Sequence, residues 1–266
     1  MKEIKRVKLF VNDNNKSKQV ELDTKEALLR EDFEIVEDND FDLAIAIGGD
    51  GSFLRMVNES NFKQDAMYVG INAGTLGFAQ DIRIDEVNDF IKSIKNNDYF
   101  YEEIGIEEVT IESSDGVSTF ECLNEIVLRE KELNVFEADV YVDDVLLENY
   151  TGDGLLISTS FGSTAYNLNY GGTIVDNIFD SLQITPIAPI SNKTYHSLQN
   201  SVVIPATKSI TIIPKQETNN MLVTTDGRNY YYNEVTKIDT CIKNHICLIR
   251  KQDYNYIRKI NDKFIK

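Results

Sequence analysis

Phe41-Asp-Leu-Ala-Ile-Ala-Ile-Gly-Gly-Asp-Gly-Ser52 decides the reading of this chain. Leu43 to Ile47 is a short apolar run, which suits a strand buried on both faces of a parallel sheet. Gly48, Gly49 and Gly51 surround one carboxylate, Asp50, and let the backbone turn sharply and approach something bulky. Ser52 is placed as the N-cap of a following helix, with Phe53, Leu54 and Val57 at helical spacing. Strand, glycine loop and helix N-terminus together form a geometry that holds phosphate, because free N–H groups and the helix dipole point the same way. A carboxylate there either takes a proton from an attacking hydroxyl or holds a metal ion against the phosphate. An ordinary Asp-Gly turn is the competing reading of these four residues.

Outward from this stretch, residues 1 to about 100 alternate strand and helix. Lys5–Val11 reads as the first strand. A helix capped by Ser17 runs to about Arg30 with Val20, Ala27 and Leu28 inward. Phe33 to Val36 reads as a short edge strand, and Met67–Ile71 as another buried one. That strand leads into a second glycine loop, Asn72-Ala-Gly-Thr-Leu-Gly-Phe78. Asp85 opens a helix with Val87, Phe90, Ile91 and Ile94 on one face. The alternation predicts a parallel, Rossmann-like α/β sheet with both glycine loops at strand carboxyl ends, where such sheets bind ligands.

The pattern changes after Tyr99. From Glu102 to Arg250 many short β-rich runs follow, with hairpin turns predicted at Asp143-Asp144 and Asp226-Gly227. They predict an all-β, sandwich-like domain, interrupted by a helical stretch near Thr164–Leu168. Tyr254–Lys266 returns to helical spacing through Ile257, Ile260 and Phe264. The expected division is an α/β domain over 1–102, a β domain over 103–251, and a segment 252–266 packed back on the first.

Four further stretches, the Asn72–Phe78 loop among them, place polar residues where a fold alone does not need them. Asn124 and Glu125 sit side by side in an apolar strand and suit the paired hydroxyls of a ribose, unless they mark a wet strand end. Gly152-Asp-Gly154 is a turn before a strand. Ser158-Thr-Ser-Phe-Gly-Ser-Thr-Ala-Tyr-Asn167 carries small hydroxyl residues into a short helix and suits phosphate, sugar or base edges. Phe78, beside a glycine loop, suits stacking on a base or plain core packing.

The chain has 266 residues and a net charge of -17, which argues against nucleic acid or an anionic membrane as partner. A nucleotide is then attracted locally, not by the overall field. No apolar run reaches the roughly 18 residues of a membrane span. Met1-Lys-Glu-Ile-Lys-Arg lacks a signal-peptide core. Cys122, Cys241 and Cys247 form no C-x-x-C pair and fit reduced thiols in a cytoplasm. His196 and His245 make no zinc motif. Asn12-Asp-Asn-Asn15 stands where a dehydrogenase would carry G-x-G-x-x-G.

Taken in order, Gly48–Gly51, Gly74–Phe78, Leu123–Glu125, Gly152–Gly154 and Gly162–Asn167 resemble the motifs of bacterial NAD kinases, over most of the chain. The length resembles the short form of Gram-positive bacteria. The Gly-Gly-Asp-Gly loop alone is shared with lipid and sugar kinases, but the full set is specific. The resemblance implies that ATP and NAD⁺ give ADP and NADP⁺, with the nucleotide at the crevice of the two domains and a divalent metal, Mg²⁺, brought with ATP; no metal-ligating side chain is assigned. It implies Asp50 as general base, with Gly48, Gly49 and Gly51 as phosphate loop. Phe78 would flank the adenine, Asn124 would lie near the adenine and Glu125 near ribose hydroxyls. Thr164, Ala165, Tyr166 and Asn167 would hold the adenosine, with Asn169 in the same binding set. Asp153 and Ala188 would lie toward the nicotinamide. It also implies a cytoplasmic homo-oligomer, dimer or tetramer, sharing sites near Ala188. Thr151 stands where many relatives carry a basic residue, Ala79 where an aromatic is frequent, and Phe161 where a small hydroxyl is usual. These departures bear on affinity and donor preference. The rivals are a kinase with a lipid or sugar acceptor, against which the acidic composition speaks, and a non-catalytic dinucleotide sensor.

Overall fold

The structure is a computed structural model that describes residues 3–74, 77–132, 134–216 and 219–265. Thr75 and Leu76 of the second glycine loop, and Lys266 at the end of the tail, lie outside the described residues. The chain begins β1 (Arg6–Val11), α1 (Asn15–Arg30), β2 (Glu34–Ile35), β3 (Leu43–Gly48), α2 (Asp50–Glu59), β4 (Met67–Asn72), β5 (Ile82–Arg83) and α3 (Val87–Lys95). It continues with β6 (Phe100–Ser113), β7 (Gly116–Cys122), β8 (Glu125–Glu130), β9 (Phe136–Val142), β10 (Val145–Gly152) and β11 (Gly154–Thr159). A 3₁₀ turn (Phe161–Thr164) and α4 (Tyr166–Asn169) follow. Then come β12 (Ser181–Ile187), β13 (Val202–Pro205), β14 (Ile210–Pro214), β15 (Met221–Thr225), β16 (Arg228–Tyr232), β17 (Lys237–Arg250) and α5 (Tyr256–Phe264). Two compact units result, Met1–Glu103 with Ile246–Lys266, and Ile104–His245, so the division falls within β6 and within β17. Among the described residues no helix is long and apolar enough to cross a membrane.

In the α/β unit, β2, β1, β3 and β4 pair in parallel, and β5 adds beside β4. All six residues of β3 are buried, which is why its sequence is a continuous apolar run and not an alternation. Cys247 and Leu248, at the end of β17, pair in parallel with Met67 and Tyr68 of β4. The run Cys247–Arg250, read from sequence with the β-rich domain, therefore belongs to this sheet.

Two helix starts differ from expectation. Asn14, not Ser17, caps α1: its Oδ1 accepts the Ser17 N–H at 2.8 Å, and Ser17 is buried within the first turn. The carboxamide oxygen three residues upstream reaches the orphan N–H that the serine's own hydroxyl cannot. Ser52 likewise does not cap α2. The helix begins at Asp50 after Gly49, and Ser52 is buried in its first turn. Asp50 thus stands where a carboxylate complements the helix dipole. The helix expected from Asp85 begins as a 3₁₀ turn (Ile84–Glu86), and α3 buries the four apolar residues assigned to it.

The β unit is a sandwich. One sheet has the order β13-β12-β11-β8-β15-β16, all antiparallel; β10, β9, β14 and β17 form the other side, with β6 and β7 paired to each other. Ile126, Leu128, Leu155, Ile157, Met221 and Val223 of the first sheet share one core with Val109, Phe136, Val140, Ile210 and Ile238 of the second. The two hairpin turns form as expected, with left-handed φ values at Asp143, Asp144, Asp226 and Gly227.

Candidate active site

Asp50 is half-buried at the first position of α2. Its Oδ1 accepts the Ala79 N–H at 2.8 Å and its Oδ2 the Phe78 N–H at 3.1 Å, so the second glycine loop orients both carboxylate oxygens. The carboxylate lies where a side chain at position 77 would have to go: a Cβ on Gly77 would meet Asp50 Oδ1 and Gln80 Oε1. A Cβ on Gly48 would strike Ser52. By contrast, a Cβ on Gly49 or Gly51 would meet nothing within 4 Å. The loop therefore has glycines of two kinds, those that let the protein close on itself and those that border open space. Gly49, at the N-cap, brings no side-chain oxygen to the α2 N–H groups. Gln80 is fully buried, and neither of its amide atoms has a hydrogen-bond partner among the described residues.

The Phe78 ring, expected beside a base, lies against α5, with centroids 5.3 Å from Phe264 and 6.2 Å from Tyr256. The loop continues into Asp81, whose buried carboxylate pairs with Arg250 and Lys259. These residues were missed from sequence. Spacing had put Ile257 inward on α5, yet Ile257 is 68% exposed and Lys259 only 8%.

In the β unit, the Leu123 and Asn124 N–H groups donate to Asp226 at 2.9 and 2.8 Å, so the hairpin aspartate fixes the entry to β8. The Asn124 carbonyl accepts from the Thr159 N–H at 2.9 Å, and a Cβ on Gly162 would collide with the Asn124 backbone. Only glycine lets the 3₁₀ turn lie that close. Glu125 is buried, takes a hydrogen bond from the Tyr166 N–H, and leaves Oε2 without a partner among the described residues. Burial first, then the Asp226 and Glu107 charges, push its pKa up to about 8. At neutral pH it is a protonated acid that both donates and accepts.

Thr164 and Ala165 are half-buried and Tyr166 is exposed in the same turn. The Tyr166 hydroxyl shares a hydrogen bond with Tyr170 at 2.8 Å, and Arg129 donates to the Tyr170 hydroxyl. Asn167 is fully buried. Its amide accepts from Thr185 Oγ1 at 2.6 Å and donates to the Ser163 carbonyl at 3.3 Å, so it pins α4 to β12. Asn169 is exposed at the end of α4. Asp153 is exposed; its N–H donates to the Ile187 carbonyl at 2.9 Å, and a Cβ on Gly152 would meet the Ala188 carbonyl, which brings the turn and Ala188 together. Ala188 itself is left-handed, with φ +45°. Thr151 is buried, its N–H on the Ser197 hydroxyl at 2.8 Å.

Comparison with known proteins bears on both units. Residues 3–99 match the family described as ATP-NAD kinase N-terminal domain, and residues 123–243 the ATP-NAD kinase C-terminal domain. The chain is 36% identical to an NAD kinase of Finegoldia magna, over 97% of each chain. It is 33% identical to an NAD kinase of Streptococcus agalactiae, over 98% of this chain and 95% of the relative. Among solved structures it resembles yeast NADH kinase complexed with NADH at a TM-score of 0.85 and 20% identity, covering 98% of this chain and 87% of that one. It resembles an Archaeoglobus fulgidus NAD kinase in complex with ATP at a TM-score of 0.75 and 21% identity, covering 97% and 99%. These two likenesses concern the fold.

Proposed function

The chain belongs to the NAD kinase family and is a kinase, and on that premise we propose that it transfers the γ-phosphate of ATP to the 2′-hydroxyl of the adenosine ribose of NAD⁺, with Asp50 as general base. The observation that carries the proposal is the Asp50 carboxylate, oriented by two backbone N–H groups beside the open space over Gly49 and Gly51.

Each Asp50 oxygen keeps lone-pair capacity beyond the N–H it accepts. A ribose hydroxyl is a poor nucleophile at neutral pH, and a positioned carboxylate that takes its proton as the new bond forms contributes about 10²–10⁴ in rate. The phosphates lie at the N-terminus of α2, where Gly49 leaves the N–H groups uncapped. The donor chemistry fits a Mg²⁺ carried on the ATP phosphates: Asp50 offers a hard oxygen at that loop, and among the described residues no group of three or more His, Cys, Asp or Glu gathers as a cage. Bound there, Mg²⁺ supplies charge neutralisation for the transferring phosphoryl group.

The β unit recognises the dinucleotide in this reading. Asn124 and Glu125 take the adenine side and its ribose, and the unpartnered Glu125 Oε2 is the atom a ribose hydroxyl satisfies. Thr164, Ala165 and Tyr166 line the adenosine, with Asn167 holding the turn and Asn169 at its end. Asp153 and Ala188 take the nicotinamide half, and Phe78, whose ring packs on α5, is assigned to the adenine. The ATP-NAD kinase family models and the relatives named NAD kinase support this pair of substrates. The enzyme is proposed as a cytoplasmic homo-oligomer, dimer or tetramer.

The test is formation of NADP⁺ from NAD⁺, ATP and Mg²⁺, read with an NADP-specific dehydrogenase. The proposal expects product that requires all three. ATP hydrolysis without NADP⁺ would point to another acceptor, and neither reaction would point to another donor or to a sensor.

A further inference from the structure

The loop that holds Asp50 is itself held from behind. Phe78 and Ala79 donate to Asp50, Gln80 lies so close to Gly70 that a Cβ there would meet it, and the Asp81 N–H donates to the Gly70 carbonyl at 3.2 Å. Two side chains of this short loop reach α5. The Phe78 ring packs on Phe264 and Tyr256, and the Asp81 carboxylate pairs with Lys259. The network behind them is closed. Arg250 pairs with Asp81 and donates Nε and Nη2 to Glu102 at 2.9 and 2.5 Å, and its guanidinium lies 4.5 Å from the Tyr254 ring. Lys259 Nζ lies 5.9 Å from the Phe78 centroid and 5.6 Å from that of Tyr254.

A stabilising core has no need of this device. Apolar side chains of similar volume are commonly as stable as a buried ion network, because desolvation offsets the attraction. What the network provides is geometry at one place, the loop under Asp50. We infer that α5 positions the general base: Lys259 and Phe264, through Asp81 and Phe78, set the loop whose N–H groups aim the Asp50 carboxylate. This rests on reading Asp50 as the base. Lys259 is a positioning residue, and the groups that face it are Asp81, Arg250, Tyr254 and Asp50.

The test compares full-length wild type, Phe264→Ala, Phe264→Tyr and Lys259→Met in the NADP⁺-forming assay. Phe264 is 40% exposed, so its truncation leaves the cores intact. Misplacing a catalytic group by about 1 Å costs about a hundredfold in turnover, and a smaller shift costs less. The inference expects kcat to fall by about tenfold in Phe264→Ala and Lys259→Met. It also expects KM for ATP and NAD⁺ to change less than kcat, and recovery in Phe264→Tyr. Should Lys259→Met fail to fold, Phe264→Ala decides. Wild-type kcat in Phe264→Ala, a loss confined to KM, or no recovery in Phe264→Tyr overturns the inference while leaving the Asp50 reading in place. A wild type that forms no NADP⁺ overturns that reading and this inference with it.

Discussion

Glu125 shows how burial changes what a residue offers. Its carboxyl, lifted to about 8 by burial and by Asp226 and Glu107, is a neutral acid at working pH. A glutamine of the same shape is also neutral and also both donates and accepts. Glu125→Gln should therefore keep KM for NAD⁺ within about threefold. Glu125→Ala should raise it by about ten- to a hundredfold, the scale of leaving a ligand hydroxyl unpaired in a buried site. Steady-state kinetics check this, and a Gln variant as impaired as Ala would contradict the neutral-acid role. Sequence marked Glu125 as out of place in an apolar strand, because that signal is local. It marked Asp226 only as a hairpin turn, with no sign that this residue fixes Leu123 and Asn124 from 102 residues or more away.

The elements were legible where their burial follows their own periodicity. β3 is apolar throughout because both its faces are covered, and α3 buries the four residues its spacing selects. Legibility failed where a partner distant in sequence decides. β17 begins at Lys237, and the alternation of Ile238 and Thr240 was a usable signal hidden among polar neighbours. On α5 the residues turned inward are Tyr256 and a lysine, Lys259, which Asp81, 178 residues away, neutralises. The same contact yields a prediction at this scale. Asp81→Ala leaves Arg250 and Lys259 buried without their shared carboxylate, and should destabilise the protein by about 3–5 kcal/mol in denaturant unfolding. A loss below about 1 kcal/mol, the level of a surface pair, would contradict the network.

Across the whole molecule the charge is -17, yet among the described residues the two buried cations, Arg250 and Lys259, belong to one network beside the glycine loops. In the proposed reading, an anionic nucleotide meets helix N–H groups at α2 and not a favourable overall field. The β unit carries a second global signature. Glu107 is fully buried, accepting from Thr240 Oγ1 at 2.6 Å and Cys122 Sγ at 3.3 Å, and burial raises its pKa from 4.5 to about 8. Between those values the folded chain holds a proton that the unfolded chain releases. Its stabilising effect is therefore complete below pH 4.5 and is lost as pH rises toward about 8. Glu107→Gln should abolish that part of the slope, on the order of a few kcal/mol, in unfolding curves between these limits. Parallel pH dependence in variant and wild type would contradict a protonated Glu107.

The central claim is that Asp50 takes the proton of the attacking hydroxyl. Asp50→Asn, compared with wild type for NAD⁺ binding by calorimetry and for NADP⁺ formation, tests it most directly. Asparagine keeps an oxygen for one of the two loop N–H groups but is no base. The account predicts NAD⁺ affinity close to wild type and turnover lowered by about 10²–10⁴. Near-normal turnover in Asp50→Asn would contradict it.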